Sequence, residues 1–191
     1  MASVSIILPA FNEEANIADA IAEATATAER LFDDHEILVV DDGSADGTAR
    51  VAKAAAGGDA RVRVISHGRN RGYGEALRTG FLCSRLEFIF FTDADLQFDM
   101  DELEKFMPFI GTVDVVAGFR VGRQDRFVRR MNAHAWNLLV RVLFYVPVRD
   151  IDCAFKLFRR SALEQLDMES VGAMVNTELM VKLGRSGAGV I

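Results

Sequence analysis

Two aspartates separated by one residue, Asp93 and Asp95, follow an apolar run at residues 88–91. Carboxylates with this spacing at the end of a buried strand can both reach one hard cation. Mg²⁺ and Mn²⁺ take such oxygen ligands and keep sites open for water and substrate phosphates. Gln97 could add an amide oxygen, so the segment predicts a metal site formed by Asp93, Asp95 and Gln97. A turn with helix-capping aspartates would have the same pattern.

Three further polar segments follow apolar runs. Residues 9–14, Pro-Ala-Phe-Asn-Glu-Glu, come after the first run, and Asp41 and Asp42 come after the second. A carboxylate such as Asp41 can accept hydrogen bonds from a base or a ribose. Residues 69–75 contain two glycines before a predicted helix, so their backbone could approach an anion at the helix N-terminus. Their spacing is not that of a dinucleotide-binding fingerprint.

Short apolar runs alternate with helical periods in the first half of the chain. The pattern predicts strands at residues 4–9, 36–41, 62–66 and 87–92, and helices at residues 13–31, 46–56 and 73–84. Such alternation is typical of an α/β domain with a mostly parallel sheet and helices on both faces. Ligands of such sheets bind beyond the carboxyl ends of the strands, where the polar segments should meet.

The second half of the chain has a weaker pattern, which is compatible with one domain over residues 1–191. We expect helices at residues 101–109, 127–144 and 176–183, and strands at residues 113–118 and 155–158. The last residues, 187–191, are typical of the start of another strand. We therefore expect the natural chain to continue past Ile191, or its remainder to be disordered or removed.

Composition and charge exclude several classes of protein. Half of the 191 residues are hydrophobic and the net charge is −6, which favours a globular protein and disfavours a general nucleic-acid binder. No apolar run approaches the roughly 20 residues that a membrane span needs. Residues 120–149 nevertheless contain seven arginines and one acidic residue, which indicates a local anionic partner. The two cysteines are far apart and are expected to be free thiols.

Taken together, these segments resemble glycosyltransferase family 2, whose members have the GT-A fold. The matching segments occur in the family's order: residues 5–13 (SIILPAFNE), 39–44 (VVDDGS), 70–76 (NRGYGEA), 92–97 (TDADLQ) and the region of Asp150. Within the family the chain is most similar to polyprenyl-phosphate mannosyl- and glucosyltransferases, through residues 118–120 (GFR), the arginine-rich segment and residues 150–158 (DIDCAFKLF). The family usually has glycine where Ala154 stands.

The resemblance implies that a hexose moves, with inversion, from a GDP-mannose or UDP-glucose type donor to a polyprenyl phosphate. The reaction would take place in peripheral contact with the cytoplasmic face of a membrane. A Mn²⁺ or Mg²⁺ ion held by Asp93, Asp95 and Gln97 would stabilise the charge that develops on the leaving nucleotide diphosphate. The donor side is then predicted to comprise Pro9, Ala10, Asn12, Glu13, Asp41, Asp42, Arg71, Gly72, Asp93 and Ala94.

Basic residues are the candidates for the acceptor side. Arg120, Arg129, Arg130 and Lys156 could bind a phosphate headgroup, since guanidinium groups bind phosphate bidentately. The apolar residues of the helix at 127–144 could lie in the membrane interface. Alternatively, this helix packs on the domain and its arginines are solvated.

The candidate catalytic residues are Asp95, Arg120 and Asp150. Asp150 could act as a general base toward an alcohol acceptor. A phosphate monoester has a second pKa of about 6 and is already ionised at neutral pH, so Asp150 would then orient arginines or the acceptor. Glu178 matches an acidic position of the family; either it lines the acceptor site or it begins a helix near the favourable end of the helix dipole.

Other functions share part of this pattern. A haloacid-dehalogenase-like phosphatase also has two aspartates after a strand, but it usually has Thr or Val where Gln97 stands. A nucleotidyltransferase usually opens with a basic, glycine-rich loop, which this chain lacks. A family 2 enzyme acting on a saccharide or another alcohol, and an inactive nucleotide-sugar-binding module, remain open alternatives.

Overall fold

The computed structural model describes residues 2–120, 136, 140, 143, 144 and 148–191. Most of the predicted helix at residues 127–144, with Arg129 and Arg130, lies outside these described residues. None of the helices formed by the described residues is long and apolar enough to cross a membrane.

Six strands form one mixed sheet. They are β1 (Ser3–Ala10), β2 (Asp34–Asp41), β3 (Val62–Ser66), β4 (Phe88–Thr92), β5 (Val115–Ala117) and β6 (Phe155–Arg159). Their order across the sheet is β3-β2-β1-β4-β6-β5. The first four strands are parallel, whereas β6 runs antiparallel to both β4 and β5. The prediction of a mostly parallel α/β sheet is therefore confirmed, although the pattern did not indicate the reversed direction of β6.

Helices cover both faces of the sheet. They are α1 (Ile17–Leu31), α2 (Thr48–Ala56), α3 (Tyr73–Cys83), a 3-10 helix (Met100–Phe109), α4 (Arg160–Leu163) and α5 (Val175–Arg185). Helix α1 begins later than predicted because residues 13–16 form a turn, in which Asn16 N donates to Glu13 O at 3.0 Å. Helix α2 also begins later, since the Asp46 carboxylate accepts from Thr48 N at 3.0 Å and marks the start of the helix. The short helix α4 was not predicted.

The central strands are buried on both faces, which explains their unbroken apolar runs. Successive side chains of a strand point to opposite faces. Leu8 and Phe90 accordingly lie in the core that α1 and the 3-10 helix cover. Ile7 and Phe91 lie in the opposite core, together with Leu77 of α3.

Strand register brings the functional segments to one edge of the sheet. Ala10 pairs with Asp41 across β1 and β2, and Ile7 pairs with Phe91 across β1 and β4. The segments that follow these three strands therefore begin side by side. Because β6 is reversed and Thr92 pairs with Phe155, the turn before β6 reaches the same edge.

Candidate active site

The segments after β1 and β2 are joined by reciprocal hydrogen bonds. Asn12 N donates to Ser44 Oγ at 2.9 Å, and Ala45 N donates to Asn12 Oδ1 at 2.9 Å. Glu13 N donates to Thr48 Oγ1 at 2.8 Å. These bonds fix the two segments relative to each other, so Asn12 and Glu13 form part of one edge. Their contact with a donor stays a prediction.

Asp41 lies at the end of β2 and is buried, with its Oδ1 accepting from Ser44 N at 3.1 Å. The turn continues through Gly43, which has a left-handed φ of 71°. A Cβ at Gly43 would lie 2.2 Å from the carbonyl carbon of Arg69, so the segments after β2 and β3 pack backbone against backbone. Glycine is required here for both its φ and its size.

Asp42 holds the segment before α3. Its buried carboxylate accepts from Arg71 N at 2.9 Å and from Gly72 N at 2.8 Å. His67 Nδ1 lies 2.7 Å from the same carboxylate, and His67 Nε2 lies 2.9 Å from Thr79 Oγ1. Both oxygens of the Asp42 carboxylate accept from the protein's own N–H groups, and its predicted donor contact stays a prediction. The Gly72 N–H is likewise occupied, whereas the Arg71 side chain is exposed and its donor contact stays a prediction.

Tyr73, the first residue of α3, is a site residue that sequence reasoning missed. Its hydroxyl donates to Asp93 Oδ1 at 2.9 Å. Burial raises the pKa of Tyr73 well above its usual value, and the charge of Asp93 adds to the effect, so the hydroxyl remains a donor. The only sequence signal was its place inside the segment 70–76, at a helix start beside the predicted site.

Two of the three predicted metal ligands, Asp93 and Asp95, lie on one turn after β4. Burial raises the pKa of Asp93 to about 6; the Tyr73 hydrogen bond opposes this shift and the nearby charge of Asp95 adds to it. Asp95 Oδ1 accepts from Gln97 N at 3.1 Å, and Leu96 turns the chain with a left-handed φ of 59°. The side chain of Gln97 is exposed, so it is the Gln97 backbone that contacts Asp95.

Three predicted donor residues can act only through their backbone. Pro9 and Ala10 at the end of β1 are buried, and Ala94 between the two aspartates is 2% exposed. The methyl group of Ala94 packs in the core under α1 and the 3-10 helix. Any contact of these residues with a donor would therefore come from their carbonyl groups or from the N–H groups of Ala10 and Ala94, since proline has no N–H.

The aspartate pair fits a cation that shares its ligands with a substrate. Among the described residues, no group of three or more His, Cys, Asp or Glu side chains could hold a metal ion. Asp93 and Asp95 are two partly exposed carboxylates, close enough for the charge of one to raise the pKa of the other. Mg²⁺ is commonly bound by one or two carboxylates, with phosphate oxygens and water completing its octahedron. The residues present therefore suit a cation bound together with a diphosphate.

Arg120 and Asp150 form a bidentate ion pair at the same edge. Arg120 Nε donates to Asp150 Oδ2 at 2.8 Å, and Arg120 Nη2 donates to Asp150 Oδ1 at 3.0 Å. This hydrogen bonding raises the pKa of Arg120, so the guanidinium stays charged. Arg120 lines a cavity of about 940 Å³ together with Gln97, Arg149 and several apolar side chains. The cavity thus connects the metal-ligand turn with the predicted acceptor side.

Lys156 is placed differently from the prediction. It is fully buried in β6, and its ammonium group donates to Ile151 O at 3.0 Å, to Cys153 O and to Asn176 Oδ1 at 3.3 Å. Burial lowers the pKa of Lys156 to about 8. The side chain points into the core and all three N–H donors have partners, so its predicted contact with an acceptor phosphate stays a prediction that this placement does not support. Lys156 instead holds the turn that carries Asp150.

Glu178 on α5 also has a role inside the protein. Its carboxylate accepts from Glu169 N at 2.8 Å, from Ser170 N at 2.7 Å and from Lys182 Nζ at 2.6 Å. Glu178 lies in the first turn of α5, as the alternative interpretation expected, and its carboxylate holds the turn at residues 169–171; its place in an acceptor site stays a prediction. The turn at residues 169–171 packs on the N-terminus of α3, where Val171 O accepts from Gly74 N at 2.8 Å.

Comparison with known proteins identifies related sequences. The model of the family described as Glycosyl transferase family 2 matches residues 5–167. Glycosyltransferase AglD of Haloferax volcanii is 33% identical over 195 residues, covering 96% of this chain and 31% of AglD. The undecaprenyl-phosphate 4-deoxy-4-formamido-L-arabinose transferase of Pseudomonas aeruginosa is 36% identical over 166 residues, covering 85% of this chain and 49% of that enzyme. The chain thus spans half or less of the length of these relatives.

Solved structures share the fold. Glucosyl-3-phosphoglycerate synthase from Mycobacterium tuberculosis, solved with Mn²⁺, UDP and phosphoglyceric acid, superimposes with a TM-score of 0.78 at 24% identity. The match covers 99% of this chain and 67% of the mycobacterial chain. At this level of identity the likeness shows a common fold, the GT-A fold expected from the sequence.

Proposed function

Since the chain belongs to glycosyltransferase family 2, we propose that it transfers a sugar from a nucleotide-diphosphate donor to a polyprenyl phosphate acceptor. A divalent cation, Mn²⁺ or Mg²⁺, would bridge Asp93 and Asp95 to the donor diphosphate. The observation that carries the proposal is the meeting of the segments after β1, β2 and β4 with the Arg120–Asp150 pair at one edge of the sheet.

The donor side is argued from the fixed segments and the aspartate turn. Asp41 and the backbone of residues 9–13 form a rigid edge that could accept a nucleoside. When bound, the cation neutralises the negative charge that grows on the leaving diphosphate. Burial, with a smaller contribution from the charge of Asp95, raises the pKa of Asp93 to about 6, and a bound cation would favour its ionised form. The mycobacterial enzyme was solved with Mn²⁺ and UDP, and this pair is therefore the first probe to use.

The acceptor side is argued from charge and from the cavity lining. A polyprenyl phosphate combines an anionic head with an apolar tail. The cavity of about 940 Å³ offers Arg120 and Arg149 beside apolar groups such as Phe106, Phe119 and Val148. Arg129 and Arg130, outside the described residues, are proposed to add to this positive charge. The Pseudomonas aeruginosa relative is named for transfer to undecaprenyl phosphate, which supports this class of acceptor.

The geometry of Asp150 favours a phosphate acceptor over an alcohol. An alcohol needs a base that can take its proton, whereas a phosphate monoester, with a second pKa of about 6, is already ionised at neutral pH. Both carboxylate oxygens of Asp150 accept hydrogen bonds from Arg120. Asp150 is thus suited to orient Arg120 toward an anionic headgroup. Because such an acceptor is a membrane lipid, we also propose peripheral contact with the cytoplasmic face of a membrane.

Donor binding can be tested by thermal shift with UDP-glucose and GDP-mannose, with and without Mn²⁺. A ligand at 100 times its Kd stabilises the native state by about 2.7 kcal/mol, so adding Mn²⁺ to the productive donor should produce a further, Mn²⁺-dependent Tm shift. Asp95→Asn should abolish this shift, while Asp19→Asn, at an exposed position of α1, should leave it unchanged. If no nucleotide sugar shifts the Tm of the wild type, the proposal fails.

The acceptor is tested by transfer of radiolabelled sugar. Undecaprenyl phosphate should be glycosylated with the donor identified above, and the free lipid alcohol should not. Transfer to a saccharide but not to the lipid phosphate would favour the alternative family 2 activity. Donor binding without any transfer would favour an inactive nucleotide-sugar-binding module.

A further inference from the structure

The Tyr73 hydroxyl contacts one of the two proposed cation ligands directly. It donates to Asp93 Oδ1 at 2.9 Å. Within the described part of the chain, Asp93 Oδ2 accepts no hydrogen bond. The two oxygens of Asp93 are therefore distinguished: one is bound to the phenol and the other is left for a ligand. An otherwise rotatable carboxylate is in this way held in one orientation.

Tyr73 can hold Asp93 because its own backbone is fixed from one side by Asp42. The Asp42 carboxylate accepts from the two N–H groups that precede Tyr73, those of Arg71 at 2.9 Å and Gly72 at 2.8 Å. Gly72 has a left-handed φ of 100°, which turns the chain into α3. The start of the helix is thus determined by a buried carboxylate directly after β2.

The turn at residues 169–171 fixes Tyr73 from the other side. Val171 O accepts from Gly74 N at 2.8 Å, and a Cβ at Gly74 would lie 2.0 Å from Ser170 O. Glu178 holds this turn by accepting from the backbone N–H groups of residues 169 and 170. Tyr73 therefore stands between two anchored segments, and the position of its hydroxyl is set by the protein rather than by a ligand.

We propose that Tyr73 is a positioning residue for the cation site: its hydroxyl orients Asp93 so that the second oxygen faces the cation. This inference rests on the proposed function. Groups that hydrogen-bond to metal ligands fix the orientation of those ligands, and their loss typically costs about 10–100-fold in metal affinity. Tyr73 does not take part in the transfer reaction itself, because it acts only by orienting Asp93.

The test is the replacement Tyr73→Phe, which removes the hydroxyl and keeps the ring. We expect the affinity for Mn²⁺ in the presence of UDP, measured by isothermal titration calorimetry, to fall about 10-fold or more. The affinity for UDP in the presence of EDTA should not change, because the nucleoside edge does not include Tyr73. A general loss of structure would lower both affinities and the Tm, and that outcome would overturn the proposal.

Ser84→Ala is the matched control. It also removes one hydroxyl at an end of α3, but at the end far from the site, where Ser84 Oγ donates to Gly80 O at 2.8 Å. This variant should keep the wild-type affinity for Mn²⁺. If Tyr73→Phe binds Mn²⁺ as tightly as the wild type does, the proposed role of Tyr73 is overturned, while the proposed cation site is not. A wild type whose UDP affinity does not depend on Mn²⁺ would overturn the proposed cation site, and the role of Tyr73 with it.

Discussion

Replacing the buried Lys156 with methionine should change how the free energy of unfolding depends on pH. The side chain is fully buried, and its ammonium group donates to main-chain carbonyls of the turn that carries Asp150. Burial lowers its pKa from 10.5 to about 8; the nearby acidic groups, which include Cys153, Asp150, Asp152 and Asp93, oppose this change without cancelling it. The protonated amine is thus less stable in the folded chain than in the unfolded chain.

Proton linkage sets the sign and size of the effect. Below about pH 8 the amine is protonated in both states, and its burial costs about 3 kcal/mol, the equivalent of a pKa that falls from 10.5 to about 8. Above about pH 8 the folded chain releases the proton, whereas the unfolded chain keeps it up to about pH 10.5. The unfolded chain then binds more protons, so the folded state gains stability as pH rises. About 2 kcal/mol of this gain should develop between roughly pH 7.5 and 9.5.

Urea unfolding at several pH values between 7.5 and 9.5 measures this contribution. The difference in unfolding free energy between the wild type and Lys156→Met should move by about 2 kcal/mol in favour of the wild type across this range. Lys53→Met, at an exposed position of α2, should follow the wild type. Lys156→Gln, which keeps an N–H donor and does not titrate, gives the same comparison if the methionine variant does not fold. Parallel pH profiles of the wild type and Lys156→Met would show that the amine does not titrate in this range.

Two further replacements test the site. Gly74→Ala would place a Cβ 2.0 Å from Ser170 O, so we expect a loss of about 1–3 kcal/mol in urea unfolding, and an unchanged stability would mean that the turn at residues 169–171 does not pack there. Asp150→Asn should lower the rate of transfer to polyprenyl phosphate by at least about 10-fold, a loss of about 1.4 kcal/mol of transition-state stabilisation, and leave the Kd for UDP and Mn²⁺ unchanged. A parallel loss of donor affinity would place Asp150 on the donor side.

The parallel half of the sheet could be predicted because its strands follow a local rule. Strands such as β1 and β4 are buried on both faces, and unbroken apolar runs express this directly in the sequence. Asparagine and acidic residues mark the segments that follow these strands. Ligands of parallel sheets bind beyond the carboxyl ends of the strands. This rule placed Asp41 and Asp93 at one edge of the sheet, and it required no knowledge of any tertiary contact.

The contacts of several charged side chains could not be predicted, because their partners lie far away in the sequence. Asp42, Lys156 and Glu178 are all charged residues near the site, and residue type alone favoured ligand contact. In the fold, Asp42 binds backbone N–H groups some 30 residues away and Lys156 reaches Asn176, 20 residues away. Nothing in the local sequence distinguishes a buried structural charge from one that faces a substrate.

Because β6 runs antiparallel to β4, the second half of the chain brings its own residues to the edge of the sheet where the first half places the proposed donor site. The proposed donor and cation residues all come from residues 9–97, whereas Arg120, Asp150 and the turn clamped by Lys156 come later. The two halves meet through the pairing of β4 with β6 and through aromatic packing, as where the rings of Phe90 and Phe155 lie 4.7 Å apart. Chimeras that join the first half of this chain to the second half of a relative should therefore exchange acceptor preference and retain the donor, provided that the graft preserves this aromatic seam.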